Sequence, residues 1–292
     1  MLHKRSNSSP VQLTLQRTEL ELFQTGEYNE TSEFDYSRTL AKACGKLCEL
    51  DEGIFSSSMF FDHRVVSVDC QTIFGDDVFI QQGHGRAEAP NIIPAELIEA
   101  YTMNQRVPIS NMYSDEVYLS KQAQTSVWSK QLVEESIATA ASGKLKGNYG
   151  IKETNHLRQA LRHAPGLAGG RVLVIGSENP WVEACVLEAG ASSVVTLEYG
   201  KIRSEHPKIK TLIPLEFQRD FFNGQLGLFD SIVTFSSVEH SGLGRYGDAL
   251  NPWGDVLEIA RANCVSKPEG SLVLAVMCGN VLCTQDSLEF NL

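Results

Sequence analysis

The stretch Arg171–Gly200, RVLVIGSENPWVEACVLEAGASSVVTLEYG, decides the fold. Val172 to Ile175 is a short apolar run of the kind a strand buried on both faces requires, and it stops at Gly176. Asn179 and Pro180 supply residue types suited to an N-cap and a first helical position, and the helical pattern after them ends at Gly190. Ser193 to Leu197 is a second β run, closed by the acid Glu198, which follows Gly176 by 198 − 176 = 22 residues. Strand, glycine turn, helix, strand and terminal acid make the first half of a nucleotide-type α/β unit. In such a unit the turn holds a polar cofactor against a helix N-terminus, and the acid accepts hydrogen bonds from ribose hydroxyls.

The turn itself narrows the choice of cofactor. Gly176 is followed by Ser177, Glu178, Asn179 and Pro180, so the later glycines of G-x-G-x-x-G or G-x-G-x-G are missing. Backbone approach to a pyrophosphate is then obstructed, and Glu178 repels phosphate charge. S-adenosylmethionine, which carries no phosphate, suits this turn better than a NAD-type cofactor, and a purely structural turn stays open beside both. The cofactor-binding candidates are Gly176, Ser177, Glu178, Glu198 and, from a later strand end, Ser236.

The chain has 292 residues, 42% apolar residues and net charge −11, enough for one large domain or two modest ones. Residues 1–150 hold 13 basic and 20 acidic side chains, and residues 151–292 hold 12 and 16. With both halves acidic and no basic run, direct nucleic-acid binding is not expected. The seven cysteines are scattered, and Cys44 and Cys48 have no second pair or histidine at zinc-ligand spacing, so buried free thiols and no metal are expected. No apolar run reaches membrane-spanning length and MLHKRSNSSP lacks a signal-peptide core, which reads as a cytoplasmic chain.

Residues 1–40 are polar and read as a disordered tail. Residues 41–150 form an α+β region: alternation over 64–82 suggests a hairpin about Gly75–Asp77, Glu96–Met103 a short helix, and Gln122–Ala141 a longer one. SGKLKGNYG at 142–150 reads as a linker and domain boundary. From 151 the elements alternate: helix 153–163, strand 172–175, helix 180–189, strand 193–198, a weaker strand near 211–214, strand 229–235, helix 252–264 and strand 271–277. That order predicts a parallel sheet covered on both faces.

The second informative stretch, FDSIVTFSSVEHSGLGRYGDALNPWGD over 229–255, places Ser236, Ser237, Glu239, His240, Arg245, Tyr246, Asp248 and Asn251 just beyond a strand end. In open α/β folds ligands bind beyond the C-terminal ends of the strands. Gly242, Gly244 and Gly247 spell G-x-G-x-x-G, but several residues past the strand and with no acid ending the next one, so a dinucleotide site there is discounted. Asn251–Pro252 fits an N-cap and first helical residue.

PWVEACVLEAGASSVVTLEYG together with SSVEHSGLGRYGDALNPWGD resembles the uncharacterised animal proteins grouped as domain-of-unknown-function family 268, over roughly residues 90–276. That family is in turn similar to class I S-adenosylmethionine-dependent methyltransferases. The resemblance implies a Rossmann-like α/β fold with a parallel sheet in the order 3-2-1-4-5 and an N-terminal α+β extension. It further implies Gly176 facing the methionine part of the cofactor, Glu198 the ribose, and Glu239 and His240 the substrate. His240 is then the candidate base, with Glu239 orienting it. After Val276 only MCGNVLCTQDSLEFNL remains, too short for the closing helix and hairpin of such a sheet, so a truncated or spliced form with an exposed, partner-binding sheet edge is expected. A non-catalytic scaffold acting through protein partners is the competing reading. A Ser–His hydrolase built on Ser236 or Ser237 with His240 lacks the G-x-S-x-G elbow.

Overall fold

The computed structural model describes residues 69–75, 93, 98, 101–102, 109–111, 125–246, 248, 250–277 and 289–290, all within the unit Val68–Leu292. A short helix α1 (Cys70–Phe74) is followed by β1 (Ser126–Trp128), α2 (Lys130–Ala141), α3 (Ile151–His163) and β2 (Arg171–Ile175). Then come α4 (Trp181–Glu188), β3 (Ser193–Leu197), β4 (Ile202–Ser204), β5 (Ile209–Leu212), α5 (Pro214–Phe222), β6 (Phe229–Phe235), α6 (Gly254–Val265) and β7 (Ser266–Ala275).

Five of these strands form one parallel sheet in the order β5-β3-β2-β6-β7, which is the expected 3-2-1-4-5 arrangement. Leu173 of β2 pairs with Val195 of β3 on one side and with Ile232 of β6 on the other. The middle strands are apolar along their length because helices cover both faces of the sheet. Val172, Val174, Val194 and Val233 lie in one buried cluster with Trp181, Val182, Cys185 and Val186 of α4 and Leu157 and Leu161 of α3. A buried ion pair fastens α3 to α4, with Arg158 Nη2 at 2.9 Å from Glu188 Oε1. The chain passes outward from β2 to β5 and then returns to β6 beside β2, so the sheet reverses direction between β2 and β6. A crevice opens at that point, beyond the C-terminal strand ends.

Several expectations are corrected. Residues 70–74 are helical, capped by the Asp69 carboxylate, which accepts from Gln71 N and Thr72 N, so this part of the expected hairpin is absent. Residues 126–128, read as the start of a long helix, are β1, paired in parallel with β4. Their role is set by a non-local contact: Trp128 is buried and its Nε1 donates to Glu178 O at 3.3 Å. The helix α5 was not anticipated. Cys70 and Cys264 form a disulfide rather than remaining free thiols, while Cys185 is free and buried. The boundary expected at 150 shows no break in packing, since β1 pairs with β4 and Val133 and Ala140 of α2 join the α4 core.

Two caps are also displaced. α4 begins at Trp181 with Pro180 as its N-cap residue, and Asn179 contributes its carbonyl instead, accepting from Trp181 N at 2.7 Å. α6 begins at Gly254, and Asn251 Oδ1 accepts from Trp253 N at 3.0 Å in a turn ahead of the helix. Of the helix expected over 96–103, Ile98 and Tyr101 are helical. The tail 1–40 and residues Val281 and Leu282 lie outside the described residues. β7 ends the sheet among the described residues and leaves Leu272, Leu274, Val276 and Met277 exposed.

Candidate functional site

The crevice between β2 and β6 holds a cavity of about 160 Å³. Gly176, Ser177 and Glu178 from the loop after β2, Glu198 from the end of β3, and Ser236 and His240 from the loop after β6 all line it. Six residues picked from the sequence therefore converge on one site. Glu239 is adjacent in the chain but is not part of the cavity wall; both its carboxylate oxygens are buried without a hydrogen-bond partner among the described residues.

Gly176 is glycine for a geometric reason. Its φ is +72°, and a Cβ there would fall 1.6 Å from Ser237 Oγ and 2.5 Å from Ser237 Cβ. The loops after β2 and β6 thus touch at this residue. Ser236, one step earlier on the second loop, is a non-glycine residue at φ +47°, and its Oγ is buried with no hydrogen-bond partner among the described residues. Backbone strain and an unpaired hydroxyl at one position are commoner at functional sites than elsewhere.

Glu198 ties the cavity floor together. Its Oε2 accepts from Ser177 N at 2.7 Å, and its Oε1 accepts from Tyr199 N at 2.7 Å and Gly200 N at 3.4 Å. Burial pushes its carboxyl above the usual carboxylate range, and the three N–H donors work against that. Oε2 keeps one acceptor direction, because a carboxylate offers about four lone-pair directions and the three N–H groups take three of them.

Behind this layer sits Glu183 of α4, a residue the sequence reading did not single out. Its side chain is fully buried, and burial raises its pKa to about 7. Proton counting supports the same state. Ser177 Oγ lies 2.8 Å from the Asn179 carbonyl oxygen and 2.9 Å from Glu183 Oε2, yet carries a single proton. If that proton goes to the carbonyl, a protonated Glu183 can donate to Ser177 Oγ, and its Oε1 still accepts from Thr196 Oγ1 at 2.8 Å. An ionised Glu183 would leave the carbonyl facing a lone pair. The neutral acid therefore fits the turn that supports the cavity.

On the other wall, burial holds the His240 imidazole below its ordinary pKa; the nearby Glu239 opposes this and Arg245 adds to it. A neutral imidazole at neutral pH can accept a proton. Asp248, which is buried and pushed up to about 6 by that burial, organises the loop by accepting from Gly242 N at 2.7 Å and Tyr246 N at 3.3 Å. Tyr101 donates to Gly242 O at 2.6 Å, so the N-terminal part of the unit also braces this loop.

The outer support lies on α6. Glu258, a cavity residue, pairs with Arg261 at 2.8 Å, and Arg261 Nε donates to Ile73 O of α1 at 3.2 Å. The Cys70–Cys264 disulfide and the Phe74 ring, 4.0 Å from that of Phe221, hold α1 against α5 and α6. Nothing in the cysteine spacing pointed to this brace.

Among the described residues no group of His, Cys, Asp and Glu could hold a metal ion, and no helix is long and apolar enough to cross a membrane. No curated protein and no solved structure matches the chain. A family match begins at residue 169 rather than near 90, so the N-terminal part of the expected range, residues 90–168, lies outside it. Residues 169–292, which carry all five strands of the parallel sheet, match the family described as Caenorhabditis protein of unknown function, DUF268.

Proposed function

We propose that the chain is an S-adenosylmethionine-dependent methyltransferase-like protein whose substrate is unassigned. One observation carries the reading: Glu198, at the end of β3, bonds to the Ser177 N–H of the glycine turn after β2 and faces a cavity at the point where the sheet reverses. An acid so placed is the expected partner of ribose hydroxyls. The charge of the wall supports a phosphate-free ligand, since Glu178, Glu198 and Glu258 line it and lysine and arginine do not. Glu198 would hold the ribose, Gly176 and Ser177 the methionine part, and the unpaired Ser236 hydroxyl a polar atom of the ligand. When bound, S-adenosylmethionine would supply an electrophilic methyl group.

His240, neutral at neutral pH, would take a proton from the acceptor substrate, and the nearby Glu239 carboxylate would stabilise the resulting imidazolium. The loop after β6, fixed by Asp248, would hold that imidazole in place.

A second reading, a non-catalytic scaffold, is favoured by how tightly the turn closes on itself. Glu198 already serves three backbone N–H groups, and the cavity is below the ~300–1,000 Å³ usual for small-molecule sites. On that reading the exposed Leu272 and Leu274 of β7 would meet a protein partner. The Cys70–Cys264 bond fits an oxidising compartment better than the cytoplasm. Calorimetric titration of S-adenosylhomocysteine separates the two functional readings. Saturable binding weakened by about 1.5–3 kcal/mol in a folded Glu198→Ala variant supports the cofactor site. No binding at millimolar ligand supports the scaffold.

A further inference from the structure

We infer that the turn Gly147–Gly150 recognises the acceptor substrate, and that this acceptor is a neutral vicinal diol of the kind a sugar ring carries; the inference rests on the methyltransferase-like reading and names the substrate class of the same site. Gly150 N donates to Gly147 O at 3.1 Å, which makes Asn148 and Tyr149 the two central residues of a β-turn. Both line the cavity and both are exposed, so they stand at its mouth. Every other described residue of the wall lies within the segment 169–292 that carries the family match. The turn therefore brings to the cavity two side chains that the matched segment does not supply, on the kind of loop that carries selectivity.

The frame of the turn is fixed and its tips are open. Thr154 is buried, and its Oγ1 accepts from Gly147 N at 3.0 Å and donates to Gly150 O at 2.7 Å. A Cβ on Gly147 would fall 2.4 Å from the Trp181 ring, so the turn sits directly on that indole. Tyr149 leans on Phe235, with ring centroids 5.3 Å apart, and keeps 41% of its surface exposed. Neither the Asn148 carboxamide nor the Tyr149 hydroxyl hydrogen-bonds another described residue. Open polar groups on a rigid frame lose little freedom when a ligand binds.

The chemistry of these groups names the acceptor. A carboxamide holds an acceptor oxygen beside N–H donors, the arrangement that pairs with two adjacent hydroxyls, one donating and one accepting. The Tyr149 hydroxyl can donate and accept in the same way, and so can Ser236 Oγ, buried and without a hydrogen-bond partner among the described residues. All three groups are uncharged. Lysine and arginine do not line the cavity, so nothing there meets a phosphate or carboxylate. Glu198 serves three backbone N–H groups and Glu258 pairs with Arg261 at 2.8 Å, so neither is set aside for an ammonium group. The neutral His240 imidazole of the same wall can accept from a hydroxyl.

Saturation-transfer NMR of the full chain tests this with the methyl glycosides of glucose, galactose and mannose, and with glucose 6-phosphate and glucosamine as charged counterparts. Each titration is run with and without S-adenosylhomocysteine. At least one neutral glycoside is expected to bind, more tightly than either charged sugar. Asn148→Ala and Tyr149→Leu, both at exposed positions, are each expected to weaken that binding about fivefold, the scale of one lost hydrogen bond. Glycoside binding that the variants leave unchanged, or that falls only in step with S-adenosylhomocysteine binding, overturns the assignment of the turn. S-adenosylhomocysteine binding with no glycoside bound, or with a charged sugar bound as tightly, overturns the diol inference and leaves the cofactor reading standing. Glycoside binding without S-adenosylhomocysteine binding supports the diol site and removes the methyltransferase-like reading. Silence from every probe overturns both.

Discussion

Replacing Glu183 by glutamine asks whether the buried acid beneath the glycine turn carries its proton. Below pH 4.5, the ordinary value for this side chain, folded and unfolded chains both hold the proton. Between 4.5 and about 7 the unfolded chain has released it while the native state keeps it. The native state then binds more protons, so this residue's contribution to stability falls as pH rises through that window. At 1.36 kcal/mol per pH unit, the gap from 4.5 to about 7 amounts to about 3 kcal/mol, fully lost above pH 7. Glutamine mimics the protonated acid: its amide N–H donates to Ser177 Oγ and its oxygen accepts from Thr196, with nothing to ionise. Urea unfolding of both proteins from pH 4 to pH 8 reads the effect. Near pH 4 the two should be about equally stable, and by pH 8 the variant should be ahead by about 3 kcal/mol. Asp248, raised to about 6, titrates in both proteins and cancels in the difference. A difference that does not change with pH would refute the protonated-acid assignment.

Gly176→Ala should cost at least about 2 kcal/mol in urea unfolding, since the residue sits at φ +72° with Ser237 filling the Cβ position; a change within about 0.5 kcal/mol would mean the two loops part easily. Cys264→Ser should lower stability by about 2–4 kcal/mol, reductant should do the same to the wild type, and reductant should leave the variant unchanged. Asn251→Ala should cost about 1 kcal/mol through loss of the bond to Trp253 N, and an unchanged unfolding midpoint would show that bond to be dispensable.

What the sequence disclosed was local or periodic. The runs VLVI, SVVTL and FDSIVTF declare themselves because strands buried on both faces are apolar throughout, and Gly176 and Glu198 mark the turn and strand end they occupy. What stayed hidden depended on distant partners. Residues 126–128 carry a pattern compatible with a helix, and their pairing with β4 and the Trp128 bond to Glu178 decide otherwise. α5 draws its buried face from Phe217 and Gln218, which meet Phe74 and its carbonyl oxygen from far along the chain. The Cys70–Cys264 bond spans 194 residues, and no spacing rule reaches that far. Glu183 looks like an ordinary helix acid until Ser177 and Thr196 close around it. Asn251 showed the reverse error: Asn-Pro suits a cap, yet the helix starts two residues beyond the proline, at Gly254.

Whether the Gly176–Glu198–His240 crevice holds an S-adenosylmethionine-type ligand is read out by hydrogen–deuterium exchange of the full chain with and without saturating S-adenosylmethionine. Slowed exchange confined to the segments 176–181, 197–200 and 235–246 that surround the cavity is expected. Protection appearing only elsewhere, or none at saturation, would contradict it.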